Sequence, residues 1–204
     1  MTNAAILSFH ENIYRVLRSK IMLGQLEPGH NLTIRGLATE FNVSMTPIRE
    51  ATRRLAAEGA LQLSNLGRIS VPNLNKDRMQ ELFCLRSMLE PELASRAFPR
   101  VHSVLIERLE TINNSIEQMI VQKNSEGYLK RDLEFHKTLY LRAQAPSMLA
   151  LVETVWVQSG PNLKKQYQKN LRKLSTRNHH MILNALRIGN KDGFIKNIYQ
   201  DVSI

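Results

Sequence analysis

The chain has a single cysteine, Cys84, among its 204 residues. One thiol excludes an intrachain disulfide framework and suits a reducing cytoplasm. It lies in the apolar stretch LFCLRSML, where it is expected to be a core residue and not a nucleophile. No run approaches the ~20 apolar residues of a membrane span, and the N-terminus lacks a signal-peptide pattern. Internal repeats and low-complexity segments are missing too. Acidic residues are scarce: 18 Asp and Glu stand against 28 Lys and Arg, for a net charge of +10. That imbalance fits a polyanionic partner such as nucleic acid, although charge alone does not establish one. The hydrophobic fraction, 43%, is ordinary for a globular protein, and the length allows one large or two small domains.

What is present organises itself around residues 33–55, TIRGLATEFNVSMTPIREATRRL. Leu37, Ala38 and Phe41 give a first helix an apolar face. Asn42, Val43 and Ser44 form a turn, with Val43 tucked inward. Ser44 is placed to cap a second helix whose first turn holds Pro47, where a missing N–H costs nothing. Ile48, Ala51 and Leu55 follow as its buried stripe, leaving Thr46, Arg49, Arg53 and Arg54 outward. A short helix that buries one face and presents hydroxyls and arginines at its start reads as the recognition element of a helix-turn-helix. The alternative is a helical hairpin with a solvated basic face.

Before this pair, residues 8–23 predict a helix with Ile13, Val16, Leu17 and Ile21 inward, ended by Gly24 and a turn at residues 26–29. After it, the period changes from helical to alternating. Leu61 and Leu63 on one side, a turn at residues 64–67, and Ile69 and Val71 returning make a short β-hairpin, with Arg68 near its tip. The expected organisation is a winged helix-turn-helix over residues 1–72, a linker over 73–76, and an all-helical domain over 77–204. In the second part a helix from Asp77 is kinked or restarted at Pro91. Ser103 and Ser125 are expected to open two more, Gly160-Pro161 to break the helix that begins at Pro146, and two final helices to cover His179–Ile188 and Asp192–Val202. Six or seven amphipathic helices with short connections make an antiparallel bundle. The fold class is therefore mainly α.

Several pieces resemble a known family. IMLGQLEPG, LATEFNVSMTPIREATRRLAAEGAL and GRISV are similar to the winged helix of GntR-family bacterial transcription regulators. LRSMLEPELASRA, RDLEFHKTLY and HHMILNALRIGN resemble the all-helical FCD effector domain of its FadR-like branch. Together these cover nearly the whole chain, in order. The resemblance implies a homodimeric regulator, expected to be a repressor, on a palindromic double-stranded operator. It further implies that Arg35, Ser44, Met45, Thr46 and Arg49 meet DNA, and that the wing around Gly67 and Arg68 enters the minor groove. Arg18, Lys20 and Arg53 are expected on phosphates, which fix register without reading sequence. Most relatives carry Arg where this chain has Met45. A thioether cannot pair bidentately with guanine, though it packs on a thymine methyl. The competing reading of Arg35 and Arg49 is a surface ion pair with Glu40 or Glu50.

Asp132 and His136 lie four apart, on one helix face. By the family pattern His179 supplies the next metal ligand, and Asp201 falls where relatives normally have a histidine. Two carboxylates with two imidazoles suit a divalent ion: zinc first, with nickel or manganese as alternatives. The competing reading is a polar core network without metal. Arg86 matches a family arginine that meets a small carboxylate effector, or else it pairs with Glu90 one turn on. Two further functions remain open at this point: a metal-dependent hydrolase, and a constitutive DNA-binding regulator with a decayed pocket.

Overall fold

The apolar stripes of the first third become three helices and a small sheet. The computed structural model describes residues 3–64, 68–170 and 174–203, with side chains from His10 onward. Helix α1 spans Asn3–Met22, α2 Ile34–Glu40 and α3 Met45–Ala57. Thr33 caps α2, its Oγ1 accepting from Gly36 N at 3.0 Å. Asn42 takes the left-handed conformation (φ 52°) that lets α2 turn sharply into α3. Val43 packs against the core there, as its place in the turn implies.

The strands are β1 (Asn31–Leu32), β2 (Gln62–Leu63) and β3 (Ile69–Ser70), antiparallel in the order β1-β3-β2, with Ser70 opposite both Asn31 and Gln62. β1 was not foreseen, because two residues are too few to show an alternation. Leu61 is buried but Leu63 is exposed. The strand begins only at Gln62, so Leu61 belongs to the chain leaving α3 and does not share the strand's period. Gly67, expected at the wing tip, lies outside the described residues.

The remainder is helical: α4 (Lys76–Ala97), α5 (Ser103–Val121), α6 (Ser125–Tyr140), α7 (Pro146–Lys169), α8 (Arg177–Arg187) and α9 (Lys191–Val202). No described helix is long and apolar enough to cross a membrane. Two compact units result. The first contains residues 1–74 together with 156–165; the second contains 75–155 and 166–204.

In the first unit Leu17, Ile21, Ile48, Leu55, Ile69 and Val71 share one core with Val157 of α7. Fully burying a side chain of this size stabilises the fold by about 1.5–3 kcal/mol. The α7 segment also closes three chain ends by hydrogen bonds. Gln158 Nε2 donates to Glu58 O (2.8 Å), Lys164 Nζ to Gly24 O (3.0 Å), and Asn162 Nδ2 to Pro72 O (3.2 Å). A Cβ at Gly160 would sit 2.0 Å from Met22 O, so only glycine permits this approach.

The break expected at Gly160-Pro161 therefore does not occur; α7 runs through it. Pro161 removes one hydrogen bond to the preceding turn, but Trp156, Val157 and Leu163 on the same helix are buried, and packing outweighs the local signal. Pro91 likewise lies within a continuous α4. Helix starts shift by one residue where a better cap stands in front. His102 Nδ1 accepts from Leu105 N (3.3 Å), and Asn124 Oδ1 from Gly127 N (2.8 Å), where Ser103 and Ser125 were expected to cap. Cys84 is exposed, against the expectation of a core thiol. The residues that are buried on α4 (Leu82, Arg86, Glu90, Leu93, Ala97) follow a stripe that leaves Cys84 on the other side. The basic residues within 164–173, which the sequence suggests are a solvated face or loop and not a second DNA site, fall in part on α7 (Lys164, Lys165, Lys169), whereas Arg172 and Lys173 lie outside the described residues.

Candidate nucleic-acid interface and candidate metal centre

Helix α3 divides its residues cleanly. Pro47, Ile48, Ala51, Thr52 and Leu55 are buried, with Thr52 Oγ1 donating to Ile48 O at 2.8 Å. Ser44, Met45, Thr46, Arg49 and Arg53 are exposed, together with Arg35 on α2 and Arg68 on the wing. Ser44 occupies the N-cap position and is exposed, yet its side chain makes no capping bond. Among the described residues Arg35, Arg49 and Arg53 form no ion pair. Glu50 is held by His10 at 2.8 Å and Glu40 by Lys20, which removes the partners that the competing reading gave Arg35 and Arg49.

Two of the expected phosphate contacts, Arg18 and Lys20, are instead paired with the carboxylates of Glu58 and Glu40. Arg18 is mostly buried and its Nε donates to Glu58 at 2.8 Å. Tyr14 donates to the same carboxylate, while Arg54 lies over the Tyr14 ring, 3.5 Å from its centroid, and reaches Glu11 at 2.7 Å. Burial and the neighbouring Glu58 push the Tyr14 hydroxyl up to about 12. Arg18 and Arg54 thus serve as internal ties between α1 and α3.

In the second unit four side chains converge. Ligand atoms of Asp132 and His136 (α6), His179 (α8) and Asp201 (α9) all lie within 4.8 Å of one another. His136 Nε2 is 2.9 Å from Asp201 Oδ2, and His179 Nε2 is 3.5 Å from Asp132 Oδ1 and 3.6 Å from Asp201 Oδ2. Asp132, His136 and His179 are buried. Each imidazole is fixed through its other nitrogen. His136 Nδ1 meets the Tyr140 hydroxyl at 3.1 Å, and His179 Nδ1 meets Asn113 Oδ1 at 3.1 Å. The His179 ring also stacks on Phe135, centroids 4.2 Å apart and 7° from parallel.

The electrostatics follow from this crowding. Burial raises the Asp132 carboxyl above its ordinary range. For Asp201, burial works against ionisation, but hydrogen bonds from His136 and His179 hold the carboxyl far below the usual range. Burial opposes the charge on His136, yet the hydrogen bond to Asp201 and the surrounding carboxylates raise it. His179 Nδ1 lies against the Asn113 oxygen, and its Nε2 faces two carboxylates, Asp132 and Asp201.

Arg86 is buried, its Nε 2.5 Å from Glu90 Oε1 and its Nη2 3.5 Å from Oε2. The pairing that sequence offered as the alternative is thus present. Burial opposes the guanidinium charge, and Glu90 more than restores it. Sequence reasoning gave no part to Tyr140 or Asn113. A signal existed for both: Tyr140 lies one helical turn after His136, and Asn113 is a polar residue four after Leu109 in an apolar stripe. His180 is exposed and pairs with Glu117 at 2.7 Å, outside the cluster as its helix position implies.

Comparison with known proteins agrees with this division. Residues 9–71 match the family "Bacterial regulatory proteins, gntR family", and residues 81–197 match the FCD domain. The chain is 27% identical over 181 residues to the HTH-type transcriptional regulator McbR of Escherichia coli, covering 87% of this chain and 81% of that protein. It is 26% identical over 193 residues to the gluconate operon transcriptional repressor of Bacillus licheniformis, covering 91% and 78%. The solved structure of E. coli McbR/YncC shares the fold, with a TM-score of 0.82 and 24% identity over 94% of this chain and 93% of that one. A GntR regulator from Rhodococcus gives a TM-score of 0.80 at 19% identity over 96% and 94%. These are transcription regulators and not enzymes, and nothing in the comparison favours a hydrolase. An exposed α3 face, a cluster of two histidines and two aspartates in the second unit, and both domain matches lead to one assignment: the chain belongs to the GntR family of DNA-binding transcription regulators, in the branch that carries an FCD effector domain.

Proposed function

We propose that this regulator is a homodimeric repressor whose operator affinity is set by a divalent ion and a small carboxylate effector in the FCD domain. The convergence of two imidazole Nε2 atoms on two carboxylates, one buried and one half-buried, carries the reading. Ligands about 2.0–2.2 Å from one ion, at tetrahedral or octahedral angles, lie roughly 3.0–3.5 Å from one another. The separations of 2.9, 3.5 and 3.6 Å come within about 0.1 Å of that span, and all four ligand atoms lie within 4.8 Å of one another. Asp132, His136, His179 and Asp201 would hold the ion, which when bound supplies a positive centre for an anionic effector. Two oxygens beside two nitrogens admit manganese or nickel as well as zinc. Arg86 keeps guanidinium N–H donors beyond those given to Glu90, and these serve the effector's carboxylate.

On the DNA side, Arg35, Ser44, Thr46, Arg49 and Arg53 supply contacts from α2 and α3, with Arg68 and Gly67 on the wing. Met45, 43% exposed at the start of the recognition helix, packs on a thymine methyl. The resemblance to repressors by name supports the sign of regulation. A twofold dimer would match a palindromic operator. An effector changes operator affinity only by binding the two arrangements of the recognition helices differently.

The test is elemental analysis of purified protein with selection of DNA from a random oligonucleotide pool. Near one equivalent of a divalent ion and a palindromic site with thymine opposite Met45 are expected. Under a tenth of an equivalent, with a melting temperature indifferent to chelator, would make the cluster a polar network. In Met45→Arg the selected site should gain guanine, by ~1–3 kcal/mol at one position of each half-site.

A further inference from the structure

Glu90 and Tyr140 lie inside the two motifs that flank the ligand set, yet the reading above gives neither a task. Both are fully buried, at 0% and 1% exposure. The Tyr140 hydroxyl donates to Glu90 Oε2 at 2.9 Å, and His136 Nδ1 lies 3.1 Å from that hydroxyl. A hydroxyl has one proton to give. With that proton on Glu90, the Tyr140 oxygen can only accept from His136, so Nδ1 must bear hydrogen. The proton on His136 Nε2, the nitrogen that faces Asp201 at 2.9 Å, is then the one an ion displaces, leaving the lone pair at Nε2 for the ion.

The direction of this chain is set at its far end. Arg86 Nε is 2.5 Å from Glu90 Oε1, and a guanidinium can only donate. Three hydrogen bonds therefore run one way, from Arg86 and from Tyr140 into Glu90, and from His136 into Tyr140. Helix geometry produces the alignment. Arg86 and Glu90 are one turn apart on α4, and Asp132, His136 and Tyr140 are spaced by single turns on α6.

We propose that Arg86, Glu90 and Tyr140 form a positioning relay that locks His136 in its Nδ1–H tautomer and so sets the affinity of the cluster for a divalent ion. The proposal rests on the metal reading above but names residues outside the ligand set. His179, fixed separately by Asn113, is the internal control. Arg86 gains a second task by this route, since its pairing with Glu90 is part of the metal site's support.

The experiment uses the full chain, zinc as the probe, competition with a fluorescent chelator, and nitrogen-15 spectra of the histidine rings. Tyr140→Phe keeps the ring and removes only the hydroxyl. It should weaken zinc binding about 10–100-fold, the range found for residues that orient metal ligands. Glu90→Gln should weaken it in the wild-type background but have little further effect in Tyr140→Phe, because Glu90 acts through the hydroxyl. His136 should lose its single tautomer in Tyr140→Phe while His179 keeps its own. Tyr140→Phe binding zinc within twofold of wild type, or additive losses in the double variant, would overturn the relay. If wild type itself takes up no zinc, the metal reading fails and the rings of the metal-free protein in alkaline buffer still decide. A His136 Nδ1–H that disappears in Tyr140→Phe supports the relay, and one that persists overturns it.

Discussion

The two units place their functional groups in opposite environments. On α2 and α3, the residues expected at DNA are exposed, and Arg35, Arg49 and Arg53 form no ion pair among the described residues. Their local neighbours do the structural work: Arg18, Arg54, Tyr14 and Glu58 tie the helices from behind. In the FCD domain the order is reversed. Asp132, His136 and His179 are buried, and each histidine is already committed to an outer partner. A surface that must meet a long polyanion keeps its charges ready in water, where desolvation costs little. A site proposed to hold a single ion is built in advance, and the ordering of its side chains is part of folding.

The sharpest way to break this contrast is Arg49→Ala. The residue is exposed and serves no fold contact, so the variant should lose specific operator binding while its melting temperature stays within about 0.5 kcal/mol of wild type in stability terms. Fluorescence anisotropy on the selected operator, alongside a thermal melt, checks both halves. A large drop in stability would place Arg49 among the structural arginines instead.

A metal should produce the next effect, and only in the buried site. At 100 times its dissociation constant, an ion that binds only the folded state adds about 2.7 kcal/mol. His136→Ala or His179→Ala should remove most of that gain, and Asp201→Ala less, because Asp201 is the most exposed of the four. Asp201→His should tighten the site and move it towards zinc. Calorimetry with and without chelator reads each case. The pH dependence has a fixed sign. His136 has a raised pKa in the folded protein, so in chelated protein its contribution is complete below the unfolded value near 6.5 and is lost as pH rises through the folded value. Asp201 is held low by the histidines, so its contribution is present above the unfolded value near 3.8 and is lost only in strong acid. An ion competes with the proton on His136, so the stabilisation from added metal should grow as pH rises from 5 to 8.

Gly160→Ala probes the first unit's interior. The new Cβ would fall 2.0 Å from Met22 O, a backbone atom that cannot rotate aside. A loss of about 1–3 kcal/mol is expected from such overpacking, read from thermal melts, with metal uptake unchanged. Reduced metal uptake at full stability would contradict the separation of the two units' functions.

Much of this was legible from sequence because the relevant signals are local. The stripe Ile48, Ala51, Leu55 and the four-residue spacing of Asp132 and His136 each need only one helix to be read. The partners that complete the candidate metal cluster needed family likeness, since His179 and Asp201 come from two further helices. What failed was also local reasoning, applied where packing decides. Gly160-Pro161 carries every mark of a helix break, and Cys84 sits among apolar neighbours. The first is overridden by the burial of Trp156, Val157 and Leu163, the second by its position on the outward side of α4. Arg86 was left between two roles, and its buried pair with Glu90 is a fact of three-dimensional neighbourhood that sequence offered only as one alternative.

The α7 segment that completes the DNA-binding unit has a consequence for synthesis. Val157, Gln158, Asn162 and Lys164 close a core whose other members lie between residues 13 and 71. On a ribosome, the first unit must wait for more than half of the remaining chain to emerge before its last contacts can form. At about 5–20 residues per second, that wait is on the order of ten seconds. Through that interval α1 and α3 have an apolar seam uncovered. The nascent chain is then a client for chaperones, and a gene truncated at the natural-looking boundary near Pro72 would yield a helix-turn-helix that never acquires its final wall.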